Sequence, residues 1–112
     1  MNKEQNDKKI CLRATCPMEF TMNEIAGKWK LVILWHIYDE KNIRYGELKR
    51  AVNNISHKML SNQLKELIDS ELVHRKLYNE VPPKVEYSLT TKGKTLIPLL
   101  NMMYNWGLEF MN

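Results

Sequence analysis

At 112 residues the chain is long enough for one domain with a single modest core and too short for two. Seventeen basic side chains stand against 13 acidic ones, a formal charge of +4 with a pI near 9.1. No apolar run approaches membrane-spanning length, and Cys11, Cys16 and the three histidines have no zinc-ligand spacing, which argues against a helical membrane protein and a zinc module.

The polar start, about residues 1–12, has too little apolar content to dock by itself and is expected to be a flexible arm. It shows no secretory, transit or lipidation pattern, so the expected location is the cytoplasm. Pro17 suits the first position of a helix running to about Ile25, with Cys16 as N-cap and Glu19 three residues later. A helix N-terminus stabilises a thiolate, so Cys16 is a candidate reactive cysteine. A second register starts the helix at Thr21, with Glu24 completing a capping box, and leaves Cys16 in a loop. A third reading makes Cys16 a small buried apolar residue. Residues 28–38 form the expected central helix, with Trp29, Val32, Ile33, His36 and Ile37 facing inward.

A brief extended piece at Ile43 and Arg44 leads into a short helix whose buried side is expected to be Leu48, Ala51 and Val52. Asn53 and Asn54 supply a turn, because Asn tolerates left-handed backbone angles. Ser56 then caps a second helix, and Ile55 and Leu60 have the spacing of a hydrophobic staple. Leu60, Leu64 and Leu67 share one face; Lys58, Asn62 and Lys65 share the opposite one, with Ser61 beside them. Short helix, Asn turn and capped second helix have the spacing of a helix-turn-helix, whose second helix enters the major groove. Alternating strands follow at 72–78 and 84–89, with Pro82-Pro83 in the loop between them, forming a wing. The segment from about 91 to 112 reads as a C-terminal helix, its second half charged only at Glu109, with apolar residues around most of its circumference. Such a helix needs more cover than a small core provides, so a homodimer through Leu96, Leu99, Met103, Trp106 and Phe110 is expected, with Pro98 kinking the helix toward the partner.

Charge placement supports a nucleic-acid role. Residues 42–65 hold Arg44, Lys49, Arg50, Lys58 and Lys65 against Glu47, a local +4, and residues 72–94 reach +3. A basic motif followed by a basic wing is the footprint of phosphate binding. Lys, Asn and Ser can donate to phosphates and base edges.

Six segments in order resemble the HxlR family of winged helix-turn-helix regulators, a branch near MarR. They are Cys16-Pro17, Gly27-Lys28-Trp29, Arg44 to Leu48, Ile55 to Leu60, Val81 to Thr90, and Trp106-Gly107. The resemblance covers nearly the whole chain. It implies an α+β, mainly helical winged helix-turn-helix with a two-stranded wing and flanking dimerisation helices. Function would be that of a homodimeric regulator on an inverted-repeat, double-stranded operator. The residues expected at the DNA are Arg44, Tyr45, Ser56, His57, Lys58, Ser61, Asn62, Lys65, Arg75 and Lys84. Cys-Pro belongs to the family pattern, and some relatives sense thiol-reactive compounds through it, which marks Cys16 for redox sensing; Cys11 lies outside the motif and is either a resolving partner or incidental. No cofactor or metal is implied. The four glycines form no phosphate-cradling loop and no nucleophile stands in a catalytic context, so an enzyme is not expected. The competing class is a winged-helix module that binds protein instead of DNA.

Overall fold

The computed structural model describes residues 16–112, so the expectations placed on the arm and on Cys11 lie outside the described residues. Helix α1 (Pro17–Ile25) starts at Cys16, whose carbonyl accepts the Phe20 N–H at 2.8 Å. Thr21 lies inside the helix and its Oγ1 donates to the Pro17 carbonyl, which rules out the register that began there. Gly27, at φ +106°, turns the chain into α2 (Lys30–Glu40), a conformation that a side chain would strain.

Helix α2 buries Lys30, Ile33, Leu34 and Ile37, which corrects the expected inward face. Val32 is exposed, while Trp29 and His36 are only half-buried. The stretch from Leu31 to Ile37 is apolar nearly all round, so its periodicity did not define one face. Leu31 and Trp35 pack at the edge of the core, where Trp35 stacks on Tyr104 with ring centroids 4.5 Å apart.

Strand β1 (Ile43–Arg44) runs into α3 (Tyr45–Ala51). Leu48 and Val52 are buried as expected, but Ala51 is exposed: the helix ends there, and Val52 reaches the core from an extended backbone. Asn54 takes φ +66°, the left-handed angle that the turn requires. Helix α4 (His57–Asp69) is capped by Ser56 Oγ, which accepts the Met59 N–H at 3.0 Å. Leu60, Leu64 and Leu67 face the core, with Ile55 buried beside them.

Strands β2 (Val73–Tyr78) and β3 (Lys84–Leu89) form an antiparallel hairpin from Val73↔Leu89 to Tyr78↔Lys84. β1 pairs with the other edge of β3, so the two-stranded wing belongs to a three-stranded sheet in the order β1-β3-β2. The expected C-terminal helix is two helices, α5 (Thr91–Lys94) and α6 (Ile97–Phe110). Pro98 sits in the first turn of α6, where its missing N–H has no intrahelical partner to lose, so it starts this helix instead of kinking one.

Candidate nucleic-acid interface

Because the three leucines of α4 are held in the core, the helix must turn its other side outward, and Lys58, Ser61, Asn62 and Lys65 are all exposed there. Two donors with ammonium groups flank an amide and a hydroxyl, the set that can reach phosphates and base edges from one helix.

Tyr45 and His57, both expected at the DNA, are also engaged with each other. The Tyr45 ring lies nearly parallel to the imidazole, at 5.7 Å and 10°. Its hydroxyl stands 3.0 Å from His57 Nδ1 and 3.3 Å from Ser61 Oγ, and it also reaches the His57 carbonyl. Tyr45 thereby braces the first turn and a half of α4 from α3. Arg44 is exposed beside it, its backbone N–H donating to Glu47 Oε1 at 3.0 Å.

The wing divides its cations between two faces. Arg75 pairs in register with Tyr87 and, together with Ser61 and Lys65, lines a groove of about 240 Å³ between α4 and the sheet. On the opposite face Lys76 lies across from Glu86, and Lys84 across from Tyr78. Lys84 is largely covered: its ammonium lies 4.5 Å from the Tyr78 ring and 3.6 Å from Glu86 Oε2. Lys76 rests over the same ring at 4.8 Å and is more exposed, so it is the freer of the two cations. Sequence reasoning counted its charge without placing it in the site; the two-residue alternation of the strand was the available signal. The Tyr78 hydroxyl is held protonated above its ordinary range, first by its hydrogen bond to Glu86.

Two polar links behind α4 were not foreseen. Lys30 Nζ, buried in α2, lies 2.8 Å from Glu66 Oε1. One turn further on, at the C-cap of α4, Glu24 of α1 accepts from Ser70 Oγ at 3.4 Å and pairs with Lys92 of α5 at 3.5 Å. Lys92 also donates to the Ser70 carbonyl at 2.8 Å. Neither link has a short-range sequence signature, since each joins residues brought together only by the fold.

Of the residues expected at a dimer interface, Leu99, Met103, Trp106 and Phe110 are exposed and share one side of α6 with Met102, while Leu100 faces the core. Leu96 differs, being half-buried against its own core. Met18, Phe20 and Met22 are exposed on α1. Cys16 is half-buried at the head of that helix. Among the described residues, no helix is long and apolar enough to cross a membrane.

Comparison with known proteins agrees with this geometry. The model of the HxlR-like helix-turn-helix family matches residues 24–112. MalR of Fusobacterium mortiferum, named as a regulatory protein, is 55% identical over 84% of this chain and 89% of its own. YdzF of Bacillus subtilis, named as an uncharacterized HTH-type transcriptional regulator, is 50% identical over 88% of this chain and 91% of its own. Among solved structures, the oxidized form of the redox regulator HypR superposes with a TM-score of 0.82 at 44% identity, covering 87% of this chain and 99% of that one. The reduced form of the transcriptional regulator YodB from B. subtilis gives 0.71 at 32% identity, over 88% and 96%. With its three-stranded winged sheet and capped second helix, the chain belongs to the HxlR-like helix-turn-helix family of transcriptional regulators.

Proposed function

We propose that the chain is a sequence-specific, dimeric DNA-binding regulator acting in the cytoplasm, with its single domain dimerised through α6 and α1. The carrying observation is the outward face of α4, where Lys58, Ser61, Asn62 and Lys65 stand exposed beside the basic groove that contains Arg75. In this reading Asn62 and Lys58 read base edges, while Lys65, Arg75, Arg44 and the Lys76–Lys84 side of the wing meet phosphates. A two-fold dimer places its recognition helices about 34–36 Å apart on an inverted repeat. The apolar stripe on α6 supports the dimer: Met102, Trp106 and Phe110 are between 63% and 71% exposed in one protomer. A stable interface covers about 800 Å² per partner, more than one such helix side supplies, and Met18, Phe20 and Met22 of α1 offer the remaining apolar area.

Binding to DNA from upstream of the gene for this chain, measured over a salt series, tests the reading. Six to eight phosphate contacts per dimer give a slope of log affinity against log salt of about −5 to −7. A flat salt dependence would leave the protein-binding module as the better reading.

The finer proposal is that Cys16 makes the regulator responsive to oxidants or electrophiles. HypR is named as a redox regulator, and YodB has been solved after diamide treatment; for this chain the support is the placement of Cys16 at the start of α1, next to the apolar surface just described. Diamide should weaken operator binding by the native chain and leave Cys16→Ser unaffected, with Cys11→Ser testing the resolving role. An equal response of native and Cys16→Ser chains excludes the assignment.

A further inference from the structure

One cavity lies away from the DNA face, where the end of α2, the end of β3 and the start of α6 meet. It has a volume of about 440 Å³, within the range of small-molecule sites. Ile37, Leu89 and Ile97 give it an apolar wall, and the hydroxyl of Ser88 and the amide of Asn42 stand on the polar side. Tyr38, Lys41 and Lys94 complete it, and among the described residues no carboxylate lines the cavity. Every ion pair found among the described residues leaves these two lysines out. The cavity lies between the C-terminal end of α2 and the N-terminal end of α6, whose partial charges oppose one another, so the two ammonium groups set the sign of the site.

Together these features call for a ligand with one anionic group and a compact apolar body. We propose that the cavity binds an organic carboxylate, its head group held by Lys41 and Lys94 and its aryl or alkyl body laid against Ile37, Leu89 and Ile97. Two ammonium donors recognise a carboxylate by charge-assisted hydrogen bonds, while the apolar wall selects against small inorganic anions. The placement also suggests what binding would do. Leu89 closes the hairpin register with Val73, and Ile97 begins the helix that carries the apolar stripe. An occupant therefore touches the wing and the dimer helix at once; this regulatory consequence, unlike the binding itself, rests on the DNA-binding reading above.

The test begins without DNA. 4-Phenylbutyrate and its uncharged counterpart 4-phenyl-1-butanol are titrated into the full chain, followed by backbone amide NMR shifts and by calorimetry. The expected result is saturable binding of the carboxylate, with shifts concentrated at Asn42, Ser88, Leu89 and Ile97, and at least tenfold weaker binding of the alcohol. The Lys41→Gln/Lys94→Gln chain, whose substituted side chains are exposed and whose fold is checked by circular dichroism, should lose affinity for the carboxylate at least tenfold while binding of the alcohol stays the same. Equal affinity of acid and alcohol, shifts confined to the apolar stripe of α6, or undiminished binding by the double variant overturns the site. Operator affinity is then measured with the carboxylate saturating. A change of fivefold or more supports the regulatory consequence, and an unchanged affinity with binding intact overturns that consequence alone.

Discussion

Replacing Glu66 by Gln removes the charge that faces the buried ammonium of Lys30 while keeping the side chain's shape. The two groups are 2.8 Å apart, and their side chains are 8% and 55% exposed. At an effective dielectric constant of about 20 the direct attraction at that separation is about 6 kcal/mol, against which desolvation of the lysine costs several kcal/mol. Removing one member of a fully buried pair costs about 3–5 kcal/mol and an exposed pair contributes about 0–1 kcal/mol; with one partner wet, Glu66→Gln should cost about 2 kcal/mol. For a domain near 100 residues that lowers Tm by about 8 °C, measured at fixed protomer concentration because dimerisation shifts the apparent stability. Lys30→Met removes the buried charge itself and should cost less than about 1 kcal/mol, because apolar replacements of buried ions are often neutral. The double variant should resemble Lys30→Met. Urea denaturation of the four chains decides the matter. If Lys30→Met is as damaging as Glu66→Gln, the ion pair is itself net stabilising, and the stranded-charge argument fails.

Other substitutions probe separate parts of the fold. Ser56→Ala should lose about 1 kcal/mol of stability from the cap on α4 and weaken operator binding with it, whereas Ser56→Asp should keep the cap; equal losses for the two would remove capping as the cause. Gly93→Ala places a Cβ against the Leu72 carbonyl oxygen, so the hairpin and α5 must separate, and a loss of about 1–3 kcal/mol is expected by thermal denaturation. Lys76→Ala should reduce the salt slope of DNA binding by about 1, and Lys84→Ala by less, because Glu86 and Tyr78 already hold that ammonium. Trp106→Asp should yield monomers at micromolar concentration in sedimentation, with operator affinity lost while the circular dichroism of the winged domain is retained.

The elements legible in the sequence were those whose information is local. Ser56, Ile55 and the leucines of α4 specify a cap, a staple and a buried face within a dozen residues, and the structure keeps all three. Asn54 specified its turn in the same way. The inward side of α2 was obscured because Val32 and Leu34 are both apolar, and only the three-dimensional surroundings decide that Leu34 enters the core. The break between α5 and α6 was hidden because the apolar run of Leu96, Ile97, Leu99 and Leu100 follows it at once; its visible mark was Pro98, which signals a helix start as readily as a kink. At the candidate site, the outward face of α4 followed from periodicity, but the commitment of Lys84 to Tyr78 and Glu86 depends on hairpin register. The buried lysine and the cavity at Lys41 and Lys94 join elements distant in sequence, and no pattern along the chain foretells either.

These long-range contacts determine how rigidly α4 is presented. Its leucines, at most 2% exposed in a close-packed core, fix which face turns inward. Polar groups with fixed partners add to this at both ends. Tyr45 reaches His57 and Ser61 near the N-terminal end, Lys30 takes Glu66 from behind, and Glu24 with Lys92 engages Ser70 just past the C-terminal end. Each partner comes from a different helix: α3, α2, α1 and α5. The last of these links ties the end of α4 to the helix that begins at Cys16 and carries Met18, Phe20 and Met22. Helix α1 is therefore joined to α4 through a carboxylate shared with Ser70 and Lys92 as well as through the apolar core. With the Lys92 side chain about half exposed, its pair with Glu24 contributes about 1 kcal/mol at most, so the clasp positions the end of α4 more than it stabilises the fold. A short polar clasp thus holds the C-terminal end of α4 against α1 and α5 at a point that the apolar core does not reach by side-chain burial alone.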